Sequence, residues 1–189
     1  MSVFNNNFED ENKNRLKKLI DLAKKNDSPT GWEMKTFAVG GLTEVGFSVN
    51  NPELLLVVSS QGRGVINCSE FKLTDRDNDI DGDWIDYIAL VADGIGKLKN
   101  ERIKTSGLHG GGLPLTNEFG DSLQMVAPEW PIFNLIFEPN HKSIFFKKDA
   151  EDCFQIFRDY ELRAYGFSSN GKFFITATSS EVNIYRKKE

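Results

Sequence analysis

The chain has 189 residues, of which 39% are hydrophobic and 27% charged, and this composition indicates a globular protein and excludes a disordered one. Its net charge is −5 and its lysines and arginines form no basic stripe, so nucleic-acid binding is not expected. The apolar runs are too short to span a bilayer, and the polar N-terminus has no apolar signal-peptide core. We therefore expect a cytoplasmic protein with no membrane or nucleic-acid partner.

The N-terminal segment predicts one helix. Residues 1–10 are polar and expected to be frayed. Between residues 12 and 25, apolar residues recur at helical spacing with lysines between them, namely Leu16, Leu19, Ile20 and Ala23. The polar residues before Pro29 end this amphipathic helix. We expect its apolar stripe to pack on the body of the domain, and a detachable helix that binds a partner is the alternative.

The remainder, residues 36–187, predicts strands. Short apolar runs alternate with segments rich in Gly, Pro, Asn, Asp and Ser, and the 15 phenylalanines also favour strands. The predicted fold class is mainly β (α+β), with the N-terminal helix followed by many short antiparallel strands, propeller-like or an irregular sandwich. We expect a single domain over residues 1–189. A short helix is an option between Trp84 and Val91.

An internal repeat lies within this β region. Residues 46–60 read GFSVNNPELLLVVSS and residues 166–180 read GFSSNGKFFITATSS, and the two align without a gap at an offset of 120 residues. Each copy predicts a strand end, a turn, a strand, a second turn and another strand. Phe47 and Phe167, at matching positions, are expected to point into the core.

The second copy continues as FSSNGKFFITATSSEVNIYR, and residues 164–188 resemble the inner part of a WD-type β-propeller blade, echoed at residues 46–68. The family pattern is approximately FSxDGKxLATxSxDxxVxIW. Tyr185 and Arg186 stand where the family has Trp-Asp, and the Gly-His signature is absent. The resemblance implies a small or degenerate propeller, and an irregular β fold built from two blade-like hairpins is the alternative.

A glycine-rich segment surrounds one of the two histidines, since residues 106–115 read SGLHGGGLPL. HGGG forms the oxyanion hole of some esterases, but those enzymes also need a GxSxG serine, which this chain lacks. We therefore predict no enzymatic activity and interpret the segment as a sharp corner that leads into a hairpin over Leu113–Val126. Three successive glycines suggest that a strand, a ligand or a partner comes close, so a candidate binding site is formed by His109, Gly110, Gly111 and Gly112.

An acidic loop is the second candidate site. Asp77, Asp79, Asp81 and Gly82 match the opening of a DxDxDG calcium loop, whose alternating oxygens can surround one cation. The twelfth position, where a bidentate Glu is required, is Ile88, which excludes a full EF-hand. The sequence therefore favours a solvated acidic loop and no cofactor, and calcium bound by Asp77, Asp79 and Asp81 is the alternative.

Aromatic residues beside carboxylates suggest a face for a basic protein partner. Trp84, Trp130 and Tyr160 each lie next to acidic residues, but for any single one of them packing in the core or at its rim is the favoured interpretation. Cys68 and Cys153 are expected to be buried, reduced thiols, because a chain of this size needs no disulfide.

The favoured function is a non-enzymatic protein-binding module whose acidic loop 75–86 contacts a basic partner. In general character such a protein is similar to bacterial immunity or antitoxin-type proteins, an analogy of class only. The alternative is a small-molecule or calcium-binding protein, or an enzyme, with a site near His109–Gly112 and the acidic loop.

Overall fold

The computed structural model describes the backbone of residues 6–188 and the side chains from residue 9 onward. It confirms a mainly β fold in which an N-terminal helix precedes many antiparallel strands. The elements in chain order are α1 (Asn6–Leu22), β1 (Trp32–Ala38), β2 (Leu42–Phe47), β3 (Leu54–Ser59), β4 (Gly62–Asn67), β5 (Lys72–Asp77), β6 (Ile85–Asp86), β7 (Val91–Asp93), a 3-10 helix (Gly96–Leu98), β8 (Arg102–Lys104), β9 (Ser106–Gly107), β10 (Ser122–Glu129), β11 (Ile132–Glu138), α2 (Lys147–Ala150), β12 (Phe154–Asp159), β13 (Ala164–Phe167), β14 (Phe173–Ala177) and β15 (Glu181–Lys187).

The chain forms two compact units, each built from separate segments. Within the described residues, the first unit comprises residues 6–29 and 119–161, and the second comprises residues 30–118 and 162–188. Neither unit is a continuous stretch of chain. The single domain over residues 1–189 stays a prediction. None of the helices in residues 6–188 combines the length and the apolar composition that crossing a bilayer requires.

The first unit packs α1 against the three-stranded sheet β10–β11–β12. The apolar stripe packs as predicted: Leu19 and Ile20, with Ala23 just past the helix end, are buried in one cluster with Val126 and Ile136, and Leu16 packs against it. This arrangement agrees with a helix that packs on its own chain.

The helix boundaries differ from the predicted 12–25. The helix begins at Asn6, so residues 6–10 are helical rather than frayed, and residues 1–5 of the predicted frayed segment lie outside the described residues. Glu9 in the first turn favours the helix N-terminus electrostatically. The helix ends at Leu22 because Lys24 leaves it to pair with the edge of β12, where its N–H donates to Cys153 O (2.9 Å) and its carbonyl accepts from Gln155 N (2.8 Å).

The second unit contains the repeat. The two sequence copies form equivalent antiparallel meanders, β2–β3–β4 and β13–β14–β15, and each gains a fourth strand, β5 in the first and β1 in the second. Phe47 and Phe167 are buried as expected, and side chains of both copies share one hydrophobic core. The repeat is therefore structural, but its pairing is not gapless: Gly46 pairs with Leu56 and Gly166 with Ile175, so the copies match at an offset of 120 before the first turn and 119 after it. The resemblance to WD-type blades stays a prediction.

Two local predictions are wrong. The segment from Trp84 to Val91 is not a helix, because Asp86 Oδ1 accepts the N–H groups of Ile88 and Ala89 (both 2.9 Å) and closes a turn between β6 and β7. The predicted hairpin over Leu113–Val126 does not form either. β10 pairs instead with β11, and the chain before it runs beside β13, where Pro114 O accepts the N–H of Phe167 (2.7 Å).

Both cysteines are free and buried, as expected. Burial, and to a smaller extent the charge of Glu138, raises the pKa of the Cys153 thiol to about 12. Burial likewise raises the pKa of Cys68. Both thiols are therefore poor nucleophiles in the folded chain.

Candidate functional site

His109 is fixed by a carboxylate that the sequence analysis did not single out. β2 pairs with β9 so that Glu44 lies opposite Gly107, two residues before the histidine. Glu44 Oε1 accepts the backbone N–H of His109 (3.0 Å) and lies 2.8 Å from its Nδ1. In the neutral tautomer that carries its proton on Nδ1, Nδ1 donates to Glu44 and Nε2 is the hydrogen-bond acceptor of the ring. The side chain of His109 is 41% exposed, so the imidazole is both oriented and accessible.

Glu44 itself is an unusual residue for a core position. It is 0% exposed, and its second oxygen, Oε2, has no hydrogen-bond partner within the described residues. Leaving a carboxylate oxygen buried and unpaired costs stability. The nearby backbone is also tight, since a Cβ on Gly107 would lie 2.8 Å from Oε2 and 2.1 Å from Thr43 O. A costly buried group of this kind is what a functional site tends to contain.

The glycine run has a mainly internal explanation. Gly110 and Gly111 have positive φ values of 117° and 86°, which L side chains rarely adopt. A Cβ on Gly111 would lie 2.3 Å from Thr105 O, whereas one on Gly112 would meet nothing within 4 Å. The close neighbour of Gly111 is thus the chain itself, and Gly112 faces open space.

The turn between β6 and β7, residues 87–90, borders the histidine and is called the aromatic loop below. The Tyr87 ring lies 4.2 Å from the His109 ring, centroid to centroid, at an interplanar angle of 44°. The next residue, Ile88, is 98% exposed. Because Asp86 closes this turn through two hydrogen bonds, the loop presents both side chains from a defined backbone.

A cavity of about 340 Å³ lies between this aromatic loop and the acidic loop. Its walls come from β2 and β3, from the acidic loop and from the start of the aromatic loop. The lining residues that matter below are Thr43, Ser59, Asp81, Asp83, Trp84 and Tyr87. The structure therefore brings the two candidate regions of the sequence, around His109 and around the aspartates, to one part of the second unit.

The aspartates proposed as calcium ligands are used within the loop. Asp77 Oδ2 accepts from Nε and Nη2 of Arg63 (3.1 and 3.0 Å), and its Oδ1 accepts from Asp79 N (3.0 Å). The Asp79 N–H and, next, the Arg63 guanidinium lower the pKa of Asp77. Asp79 Oδ1 in turn accepts from Asp81 N (3.1 Å). Over residues 6–188, no group of three or more His, Cys, Asp or Glu side chains is placed to hold a metal ion, so calcium binding has no geometric support and stays a prediction.

Trp84 packs in the core, as favoured for any single one of these aromatic residues, and is not part of an exposed binding face. It is 8% exposed and packs in a core cluster with Leu54 and Leu98. Arg63 covers its ring, with Cζ 4.6 Å from the centroid, and its Nε1 donates to Asp79 O (3.2 Å). Trp84 therefore anchors the acidic loop, and only part of it reaches the cavity wall.

Trp130 and Tyr160 lie in the first unit and are exposed, at 74% and 65%. Trp130 occupies the turn between β10 and β11, and its ring packs edge-on against Phe133 at 5.4 Å. An exposed tryptophan supported by a second ring is compatible with a binding role. For Trp130 the structure therefore differs from the favoured core packing and leaves the binding-face alternative open.

Three residues of the site escaped the sequence analysis: Glu44, Arg63 and Tyr87. A signal for one of them lay just before the repeat, because the position that matches Glu44 at an offset of 120 is Ala164. A charged residue in an otherwise apolar strand, where the other copy has alanine, indicates a specialised position. Arg63 and Tyr87 carry no comparable local signal.

Comparison with protein-family models, curated protein sequences and solved structures finds no match for this chain. The fold and the site define a mainly β protein that presents an acidic and apolar surface beside a histidine fixed by a buried glutamate. Its function has to be inferred from that surface.

Proposed function

We propose that this chain is a non-enzymatic protein-binding module and that its partner presents basic and apolar side chains. The contact is the acidic surface, defined as Asp79, Ile80, Asp81, Asp83, Tyr87, Ile88 and Leu108. The observation that carries the proposal is Ile88, which is 98% exposed on a hydrogen-bonded turn beside this acidic loop. Exposed apolar side chains on a defined backbone suit the centre of a protein interface, because little order is lost on binding.

The members of the acidic surface are neighbours. Ile80 and Tyr87 line the same cavity, and the Tyr87 ring packs against His109, which follows Leu108 in the chain. Ile80, Tyr87 and Leu108 are all exposed, like Ile88. Because Ile88 follows Tyr87 and Leu108 precedes His109 in the chain, we place the four apolar side chains in one patch.

Charge indicates the kind of partner. Residues 75–86 contain six aspartates and one arginine. In the described part of the chain, no ion pair involves Asp79, Asp81 or Asp83. Such a field attracts a basic partner and raises its association rate. A bacterial immunity or antitoxin-type role, in which an acidic protein covers a basic active site, is the particular form of this proposal.

Site-specific photocrosslinking tests the proposal. Ile88 is replaced by a benzoylphenylalanine, and cells of the source organism are irradiated. We expect a protein adduct that Asp79→Asn, Asp81→Asn and Asp83→Asn together reduce. The control carries the same photoreactive residue at Lys172, an exposed turn position of the same unit. If position 88 gives no adduct, or gives the same adducts as position 172, the proposal fails.

A second candidate, a small-molecule binder or an enzyme, rests on the Glu44–His109 pair beside the cavity. A carboxylate that fixes a histidine is a common way to prepare an imidazole for binding or proton transfer. A thermal-shift screen of metabolites tests this candidate. A compound that stabilises the original chain but not His109→Asn supports it, and a screen in which both proteins respond alike removes it.

A further inference from the structure

The cavity within the acidic surface has a specific chemistry. Its lining residues include two aspartates, Asp81 and Asp83, the aromatic residues Trp84 and Tyr87, and Thr43 and Ser59 of β2 and β3. We infer that this cavity receives an arginine side chain of the partner protein. The inference rests on the proposed function and names the group that the acidic surface recognises.

The same unit already contains a guanidinium in a matching environment. The Arg63 guanidinium lies over the Trp84 ring, with its Cζ 4.6 Å from the centroid, and its Nε and Nη2 donate to Asp77 Oδ2. An aromatic face and a carboxylate thus bind one guanidinium within the chain. The cavity next to it offers a second such combination, the ring of Tyr87 with the carboxylates of Asp81 and Asp83.

Arginine fits this combination better than other side chains do. Its guanidinium is planar, stacks on aromatic rings and presents five N–H donors to carboxylates and hydroxyls. A lysine ammonium can pair with one carboxylate but cannot stack in the same way. An apolar side chain would take the aspartates out of water without a compensating charge.

Tyr87 is positioned before any partner arrives. One side of its ring contacts His109, whose imidazole is fixed by the buried Glu44, and its loop is closed by Asp86. A preformed wall reduces the ordering cost of binding. This arrangement gives the otherwise costly Glu44–His109 pair a role as support for the aromatic wall of the cavity.

An NMR titration of the full chain tests the inference directly. The probes are Nα-acetyl-arginine amide and Nα-acetyl-citrulline amide, which have nearly the same shape but differ in charge. We expect the arginine probe to shift the amide signals of residues 80–87 and to saturate in the millimolar range, as is usual for a single side chain. The citrulline probe should leave these signals unchanged.

Variants assign the effect to the cavity. Asp81→Asn with Asp83→Asn should weaken binding of the arginine probe by about tenfold or more, and Tyr87→Leu should weaken it by about threefold. The matched control is Asp10→Asn with Glu11→Gln, which removes the same charge from exposed positions of α1. Binding by the control variant should equal that of the original chain.

Three outcomes overturn the inference: equal binding of the citrulline probe, equal binding of the corresponding lysine amide, or an Asp81/Asp83 variant that binds as the original chain does. A crosslink from position 88 without arginine binding refutes only this inference and leaves the protein-binding proposal standing. Arginine binding without any crosslink refutes a protein partner and makes the cavity a site for a small guanidinium compound.

Discussion

Replacing Gly111 by alanine should destabilise the chain markedly. The new Cβ would lie 2.3 Å from Thr105 O and 3.1 Å from Ser106 Cα, at a φ of 86°. The carbonyl cannot turn aside as a flexible side chain can, because the following residues pair with β2. The backbone conformation costs an L residue about 1–2 kcal/mol, and relieving the overlap adds about 1–3 kcal/mol. The sum is about 2–5 kcal/mol, and with roughly 2–4 °C per kcal/mol for a chain of this size, Tm should fall by about 4–20 °C.

The adjacent Gly112 supplies the control. Alanine there meets nothing within 4 Å, so Gly112→Ala should leave stability unchanged or raise it by about 0.5 kcal/mol. Urea denaturation followed by circular dichroism, together with calorimetry, measures both variants. If Gly111→Ala is as stable as Gly112→Ala, the close approach of Thr105 does not explain the glycine, and our account of the turn is refuted.

Three further predictions follow from buried and charged groups. Glu44→Ala should lower the free energy of unfolding by about 2–4 kcal/mol. Glu44→Gln should lower it by less, because an amide oxygen still accepts from His109 N. Equal losses of the two variants in urea denaturation would contradict this account. Asp77 has a lowered pKa in the folded state, so its stabilising effect is present above its ordinary pKa of 3.8 and is lost as the pH falls through the lowered value. Asp77→Asn should therefore flatten the pH dependence of the free energy of unfolding in that acid range. An unchanged slope would count against this account. The pKa of Cys153 is raised from 9.0 to about 12, so this thiol should favour folding below pH 9 and lose that contribution as the pH rises towards 12. At pH 8 the native thiol should react with Ellman's reagent at least about a hundredfold more slowly than the thiol of the unfolded chain. Rapid reaction of the native chain would refute the burial of Cys153.

The features that the sequence predicts well are those with a local period. The spacing of apolar residues over a few neighbouring positions predicts the apolar stripe of α1 and the alternation of strands and turns. The repeat is found by comparing two segments of the sequence. The hairpin over Leu113–Val126 is predicted wrongly because strand pairing is not local. The segment at 113–116 has the composition of a strand, but the contact of Pro114 O with Phe167 N comes from a strand about fifty residues further along.

The same reason explains which parts of the site were found. His109, the glycines and the aspartates stand out by composition. Glu44 reaches His109 only through the pairing of β2 with β9, and Arg63 reaches Trp84 from β4. The acidic neighbours of Trp84 suggested a binding face as the alternative to core packing, but a cation from another strand covers the ring, which local sequence does not reveal.

The two copies of the repeat show how the site is built on a shared framework. Both form the same three-stranded meander, yet the first copy has the buried Glu44 where the second has Ala164, also buried. The fourth strand of the first copy, β5, runs directly into the acidic loop, whereas the second copy receives its fourth strand, β1, from an earlier part of the chain. Because the second meander packs with an alanine at this position, the meander architecture by itself does not require a carboxylate there. What distinguishes the first copy is therefore the support of His109 and, through its ring, of Tyr87 in the acidic surface.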